Sequence, residues 1–190
     1  MIRKFVLFGL LFTCSFTFAQ STQAAEGGAL SLWAGAEAST FNPDWGCKSS
    51  SPFSCWDRQL QGIAAFADLN RLLGPVGMEA EGRWLVWRGP SGINETNYLF
   101  GPRVQVLRRR KAAVDLKVLA GVSIFHQPKS WGGWAAFAPG VTFGYRVSSR
   151  WIVRGDYEYQ FWPGFVGSSG HAHGLTPNGF SVGVSYRILR

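Results

Sequence analysis

The sequence is short of charge, of cysteine and histidine, and of long apolar segments. Only 16% of its 190 residues are charged, which is low for a water-soluble protein of this length. Beyond residue 24 no run of about 20 residues stays apolar without Pro, Gly or His, which argues against a transmembrane helix there. Three cysteines and three histidines leave few candidates for a metal centre or a nucleophilic triad.

The N-terminal segment predicts export. Two basic residues precede the apolar run FVLFGLLFTCSFTFA, and small residues follow it, so cleavage is expected after Ala19 or Ala24. We assign residues 1–24 to a cleavable signal peptide and residues 25–190 to a single domain. The remaining chain is still basic, but export argues against nucleic acid as a partner.

Cys47 and Cys55 remain after processing, in the segment WGCKSSSPFSCW. In an exported chain, two cysteines separated by a short polar stretch predict a disulfide that closes a small loop. Metal binding by this pair is the alternative, although no histidine lies near it in the sequence.

Apolar and polar residues alternate with a period of two from residue 28 onward, and helical periodicity is hard to find. In the clearest segment Val114, Leu116 and Val118 share one face, while Asp115 and Lys117 share the other. Eight such segments predict eight β-strands, at residues 28–39, 60–70, 77–89, 96–107, 113–125, 134–146, 150–162 and 178–189.

The connections between these segments alternate in length. Those after the second, fourth and sixth segments are short, whereas the others are longer or rich in Gly, Pro, Ser and Trp. The predicted structure therefore has short connections at one end and longer ones at the other, which is called here the elaborated end.

Each predicted strand carries a polar row and an apolar row of side chains. The composition of these two rows distinguishes a membrane barrel from a water-soluble sandwich. The polar row is rich in Gly and Ala and mixes both charge signs, which suits a crowded interior, and large aromatics lie near the strand ends. A bilayer admits only helices or closed barrels. The sequence predicts an all-β fold: an eight-stranded antiparallel up-and-down transmembrane β-barrel with short periplasmic turns and longer extracellular loops. The candidate interfacial aromatics are Trp84, Tyr98, Phe143, Tyr145, Trp151, Tyr157, Tyr159 and Phe161.

Charges of both signs fall on the inward row, seven acids against six bases if Arg146 is included. Because a buried ion without a partner costs several kcal/mol, they are expected to pair and to plug the narrow lumen against conduction. The predicted network comprises Glu37, Asp68, Glu79, Glu81, Arg83, Arg103, Asp115, Lys117, Arg154, Asp156, Glu158 and Arg187.

Most of the other bases fall in the short turns, at Arg71, Arg150 and residues 108–111. Two interpretations are open: solvated turns that suit the topology, or contact with anionic headgroups or a periplasmic polyanion.

Catalytic and metal-binding patterns are weak in this sequence. His171 and His173 in GHAHG would need a third ligand to hold a metal ion, and a polar loop is the alternative. His126 and Ser130 are a candidate pair for a lipid-modifying enzyme, but no carboxylate orients the histidine. We predict no enzyme, no cofactor and no metal. Aromatics assigned to the elaborated end are candidates for a recognition surface: Phe41, Trp45, Phe53, Trp56, Trp131, Trp134 and Phe165.

The last segment, PNGFSVGVSYRIL, alternates apolar residues with an aromatic near each end. Together with the hairpin patterns it resembles the small eight-stranded outer-membrane barrels of bacteria, the opacity-protein-like group and the transmembrane domain of outer membrane protein A. The resemblance implies that the last strand is an insertion signal read by the barrel-insertion machinery, carried by Phe180, Val182, Val184, Tyr186 and Ile188. It also implies a monomer in contact with outer-membrane lipids and lipopolysaccharide, with a structural or adhesive role through the external loops. A lipid-modifying enzyme and a narrow ion channel are the alternatives.

Overall fold

The computed structural model describes residues 30–43, 59–87, 92–127, 130–165 and 174–189. They form eight strands: β1 (Ser31–Asn42), β2 (Leu60–Leu73), β3 (Val76–Trp87), β4 (Asn94–Arg108), β5 (Ala112–Gln127), β6 (Ser130–Arg146), β7 (Trp151–Tyr159) and β8 (Asn178–Leu189). Consecutive strands pair antiparallel and β8 pairs with β1, which closes the barrel. The predicted eight-stranded antiparallel up-and-down barrel is confirmed.

Several sequence predictions lie outside the described residues. These are the signal peptide, the Cys47 and Cys55 disulfide, and the His171 and His173 pair. They remain predictions.

No helix in the described ranges is long and apolar enough to cross a membrane.

The alternation of the sequence becomes an inward row and an outward row on each strand. In β5, Lys117 is 1% exposed and Leu119 is fully buried, whereas Leu116 and Val118 are about half exposed. The arrangement is inverted relative to a water-soluble protein, because charged side chains fill the interior and large apolar side chains cover the outer wall. All eight predicted interfacial aromatics, Tyr157 among them, lie on the outward row.

The short connections and the described ends of the chain lie at one end of the barrel, called here the turn end. Gly74, with a φ of 63°, and Pro75 connect β2 to β3. In the turn between β6 and β7, the Ser148 hydroxyl accepts hydrogen bonds from the backbone N–H groups of Arg150 and Trp151, each at 3.2 Å. The connections at the opposite end, called the loop end, are longer except between β5 and β6. There the strands extend further than the sequence predicts, and only residues 128–129 separate them.

The seventh strand ends earlier than its sequence pattern predicts, at Tyr159 rather than Trp162. Phe137 and Phe161 still exchange two backbone hydrogen bonds, but only as an isolated bridge. Pro139 lies opposite Tyr159 by continuation of this register, and it has no N–H to donate to the ladder. The proline therefore interrupts the regular pairing of β6 with β7.

Candidate functional site

Lys117 lies at the centre of a buried ionic cluster in the lumen. Its Nζ contacts the carboxylate oxygens of four acids, Glu79 at 2.9 Å, Glu81 at 3.3 Å, Asp156 at 2.9 Å and Glu158 at 3.3 Å. These acids come from β3 and β7, on two sides of the barrel. The Lys117 ammonium group, carried by β5, therefore bridges the two sides.

Arg154, on β7, lies in the same layer of the lumen and shares Glu79 and Asp156 with Lys117. Its guanidinium pairs with Glu37 at 2.8 Å, Asp68 at 3.0 Å, Glu79 at 2.6 Å and Asp156. The Phe66 ring lies against it, 4.0 Å from the guanidinium carbon to the ring centroid. Ion pairs and a cation–π contact together hold this arginine in one orientation.

Two further arginines extend the cluster toward the two ends of the barrel. Arg83, on the loop side, pairs with Glu81 at 2.5 Å and Glu158 at 2.8 Å. Its guanidinium carbon lies 4.2 Å from the centroid of the Phe41 ring. Arg103, on the turn side, pairs with Asp68, with Glu79 at 3.1 Å and with Asp115 at 2.7 Å.

Glycines on neighbouring strands leave room for these long side chains. Gly183 stands beside both Glu37 and Arg154, and a methyl group there would lie 2.6 Å from the Glu37 Cγ. Gly140 stands beside Lys117, and a methyl group there would lie 3.0 Å from its Cε. The abundance of glycine on the polar row thus has a steric cause.

The interior is more acidic than the sequence analysis indicated. Buried among the described residues are eight acids, Glu37, Asp68, Glu79, Glu81, Glu95, Asp115, Asp156 and Glu158, and four bases, Arg83, Arg103, Lys117 and Arg154. Arg187, predicted to join the network, makes no ion pair with a described acid and instead lies over Trp33 at the turn end, 4.7 Å from the ring centroid.

Glu95 is an interior acid that sequence reasoning missed. The predicted fourth strand began at residue 96, but β4 begins at Asn94, so Glu95 falls on the inward row. It is 1% exposed and accepts a hydrogen bond of 2.8 Å from the side-chain amide of Asn97. The polar neighbour two residues away on the same face is the signal that could have identified it.

An aromatic cap covers the ionic cluster toward the loop end. Trp162 is fully buried, stacks on Trp134 with ring centroids 6.4 Å apart, and packs with Phe165 and Leu175. Its indole N–H donates to the Gln160 carbonyl oxygen at 2.9 Å. The Gln160 amide donates in turn to Glu158 at 2.8 Å, which links the cap to the ion pairs.

The predicted recognition surface needs correction at Phe41, Trp134 and Phe165. Phe41 is 1% exposed in a cluster with Leu60 and Leu85, while Trp134 and Phe165 pack against the cap. Strand parity places Phe41 and Trp134 on the inward row, so they fill the lumen. Trp131 is 75% exposed, and Trp45, Phe53 and Trp56 lie outside the described residues.

No arrangement of the described side chains forms a recognisable catalytic or metal site. His126 is exposed and stacks on Trp131 with centroids 6.2 Å apart, and the Ser130 side chain is outside the described set. Within the described ranges, no group of three or more His, Cys, Asp or Glu residues could hold a metal ion.

The five residues of the proposed insertion signal lie on the outward row of β8. Phe180, Val182, Val184 and Ile188 are about half exposed or more, and Tyr186 packs against Trp151 with ring centroids 5.0 Å apart. The strand therefore presents an apolar row to the outside of the barrel. Its recognition during assembly remains a prediction.

Comparison with solved structures identifies the fold. Neisserial surface protein A superposes with a TM-score of 0.57 at 12% identity, over 85% of this chain and 99% of that one. The attachment invasion locus protein of Yersinia pestis gives 0.48 at 12% identity, over 84% and 97% of the two chains. The N-terminal β-barrel domain of Pseudomonas aeruginosa OprF gives 0.45 at 13% identity, over 84% and 100%.

No protein-family model and no curated protein sequence matches the chain. The superposition on Neisserial surface protein A, together with the closed ladder, shows that the chain has the fold of the small eight-stranded outer-membrane barrels.

Proposed function

We propose that this protein is a monomeric barrel of the bacterial outer membrane whose lumen is closed. It serves as a structural or surface-interaction protein through its external loops, and it is neither an enzyme nor a channel. The observation that carries the proposal is the filled lumen, in which buried ion pairs lie beneath an aromatic cap. Eight strands leave an interior that side chains can fill, and here they cross it from several walls.

The outer wall supports the membrane location. Ile63, Val118, Phe180 and Val182 lie between 55% and 63% exposed, whereas the charges at the same heights point inward. In water this surface would be an extended apolar patch, whereas in a bilayer it meets acyl chains. Outer-membrane lipids and lipopolysaccharide are the partners that fit it.

Aromatic pairs near both strand ends fit the two interfaces of the bilayer. Trp151 and Tyr186 contact each other near the turn end, and Trp84 and Tyr98 make an edge contact with centroids 6.2 Å apart nearer the loop end. Tryptophan and tyrosine side chains prefer the headgroup level, where the apolar part of the ring meets acyl chains and the polar group meets water.

The interaction role rests on the fold and on the elaborated loop end. Neisserial surface protein A, which shares the fold, is a surface protein by name. Because the lumen is closed, an extracellular partner is expected to bind at the loop surface rather than inside the barrel. The analogy is one of fold, and the ligand is for experiment to identify.

Planar-bilayer recording tests the closed lumen. We expect the purified, refolded protein to give no steady discrete openings, because four bases and their carboxylates occupy the cross-section. The variant Trp162→Ala removes the centre of the cap and serves as a comparison. We expect it to stay silent as well, since the layer of Lys117 and Arg154 lies beneath.

Steady openings in the unaltered protein would contradict the closed-barrel proposal. Openings confined to Trp162→Ala would instead assign closure to the cap rather than to the ion pairs.

A further inference from the structure

A cavity of about 560 Å³ lies at the turn end of the barrel, next to the ionic cluster. Nine basic residues and two acidic residues line it. Both acids, Asp68 and Asp115, already pair with Arg103. Seven of the nine bases make no ion pair with an acid in the described part of the chain, so the wall of this turn-end cavity is strongly positive.

An irregularity in β2 turns one of these bases into the cavity. Ile63 and Leu69 belong to the outward row, and strict alternation would send Arg71 outward with them. The register with β3 shifts between Leu69 and Leu73, and Arg71 takes a φ of 64°, a left-handed conformation that is uncommon outside glycine. Arg71 consequently lines the cavity.

A second irregularity does the same in β4. Arg103 and Gln105 belong to the inward row, so strict alternation would place Leu107 inside and Arg108 outside. The register with β5 shifts between Gln105 and Leu107. Leu107 is 48% exposed, while Arg108 lines the cavity. Bulges commonly change the direction of a side chain, and here each of the two bulges brings one arginine to the turn-end cavity.

Two other arginines in the wall retain unused donors. Arg187 is held over the Trp33 ring, and its Nε is buried without a hydrogen-bond partner. The Nε of Arg146 is buried and unpartnered in the same way. Buried donors of this kind are normally satisfied by protein, by ordered water or by a bound ion.

We infer that the turn-end cavity binds the phosphoryl groups of a multiply charged anion. The guanidinium fork matches phosphate oxygens in two parallel hydrogen bonds. A phosphoryl group brings up to about two negative charges and three acceptor oxygens, more charge than a carboxylate offers in similar space. Cavities of about 300 to 1,000 Å³ hold small molecules, so a chain of two or three phosphoryl groups fits the available room. Under the proposed orientation the cavity faces the periplasm.

Isothermal titration calorimetry of the folded barrel in non-ionic detergent tests the site, with tripolyphosphate as the probe. We expect saturable binding at one site per barrel. Arg108→Gln and Arg146→Gln should each weaken it by about tenfold, since each removes a charged hydrogen-bonding group. Arg108→Lys keeps the charge but loses the fork, so a smaller loss is expected.

Arg150→Gln is the matched control. It removes the same charge from an adjacent turn, but Arg150 does not line the cavity and its guanidinium bonds to the Tyr186 hydroxyl at 3.2 Å. We expect an effect below about twofold, because exposed charges at this range are screened by salt. Heat-modifiable migration on a gel verifies that each variant is folded.

Three results would overturn the inference: no binding of tripolyphosphate, an equal loss in Arg150→Gln, or equal affinity for citrate. A soluble short-chain cardiolipin, a lipid whose headgroup carries two phosphoryl groups, is the second probe. Tighter binding of this lipid would assign the phosphoryl group to a headgroup, and tighter binding of tripolyphosphate would assign it to a free anion. Binding at the cavity requires only the folded barrel, so it can succeed or fail independently of the conductance experiment.

Discussion

Replacement of Lys117 by methionine is expected to lower the free energy of unfolding by about 3–5 kcal/mol. The methionine keeps much of the length of the side chain but removes the ammonium group, which contacts carboxylates of Glu79, Glu81, Asp156 and Glu158. Those acids are already in excess over the buried bases, so the loss leaves buried negative charge without compensation. Breaking one side of a buried ionic cluster is far more destabilising than removing an exposed ion pair.

Denaturant unfolding in phospholipid vesicles, followed by tryptophan fluorescence, measures this difference. Lys111→Met is the matched control, because Lys111 is exposed in the turn between β4 and β5 and makes no ion pair with a described acid. We expect it to change stability by less than about 0.5 kcal/mol. Adding Glu79→Gln to Lys117→Met should recover part of the loss. Equal effects of the two lysine substitutions would show that the lumen cluster does not hold the barrel together.

Val118→Arg is expected to lower the free energy of unfolding in a lipid bilayer by about 2–4 kcal/mol. The preceding residue, Lys117, carries a charge that the fold requires. Val118 lies on the outward row near the middle of β5, 55% exposed, with Pro139 as its neighbour on β6. An arginine there would place a guanidinium in the hydrocarbon, with the lumen on the other side of the wall. Opposite changes are therefore destabilising at neighbouring positions: removal of a charge at position 117 and introduction of a charge at position 118.

Val147→Arg provides the comparison for this substitution. Val147 is 60% exposed in the turn between β6 and β7, where its backbone N–H donates to the Trp151 carbonyl oxygen. The same change of residue should cost less than about 0.5 kcal/mol there. If both variants unfold at the same denaturant concentration in vesicles, Val118 does not face the bilayer core.

The fold could be predicted from the sequence because the strand period is two and a shift by one residue exchanges the faces. The row of Asp115, Lys117 and the neighbouring glycines is inward in the structure for the reason that the pattern indicates: small and ionic residues fit a narrow lumen. Individual ion pairs could not be predicted. Arg83 and Glu158 are 75 residues apart in the sequence, and only closure of the barrel brings them together.

Departures from strict alternation were the main source of missed features. The bulges near Arg71 and Arg108 exchange the faces locally, and a sequence pattern does not locate a bulge. The sequence pattern places Trp162 within the seventh strand, but its role as the centre of the cap depends on Trp134 and Leu175, which belong to other parts of the chain. Glu95 was missed because the start of a strand is poorly marked when polar residues precede it.

Closure of the sheet limits how any partner can bind. Each of the eight strands has a hydrogen-bonded neighbour on both sides, so the described barrel presents no free sheet edge. Recognition by addition of a strand, and edge-to-edge aggregation of folded copies, both require such an edge. A partner must therefore be selected through side chains at the two ends or on the outer wall. A peptide that mimics a β-strand is therefore not expected to compete with such a partner for binding.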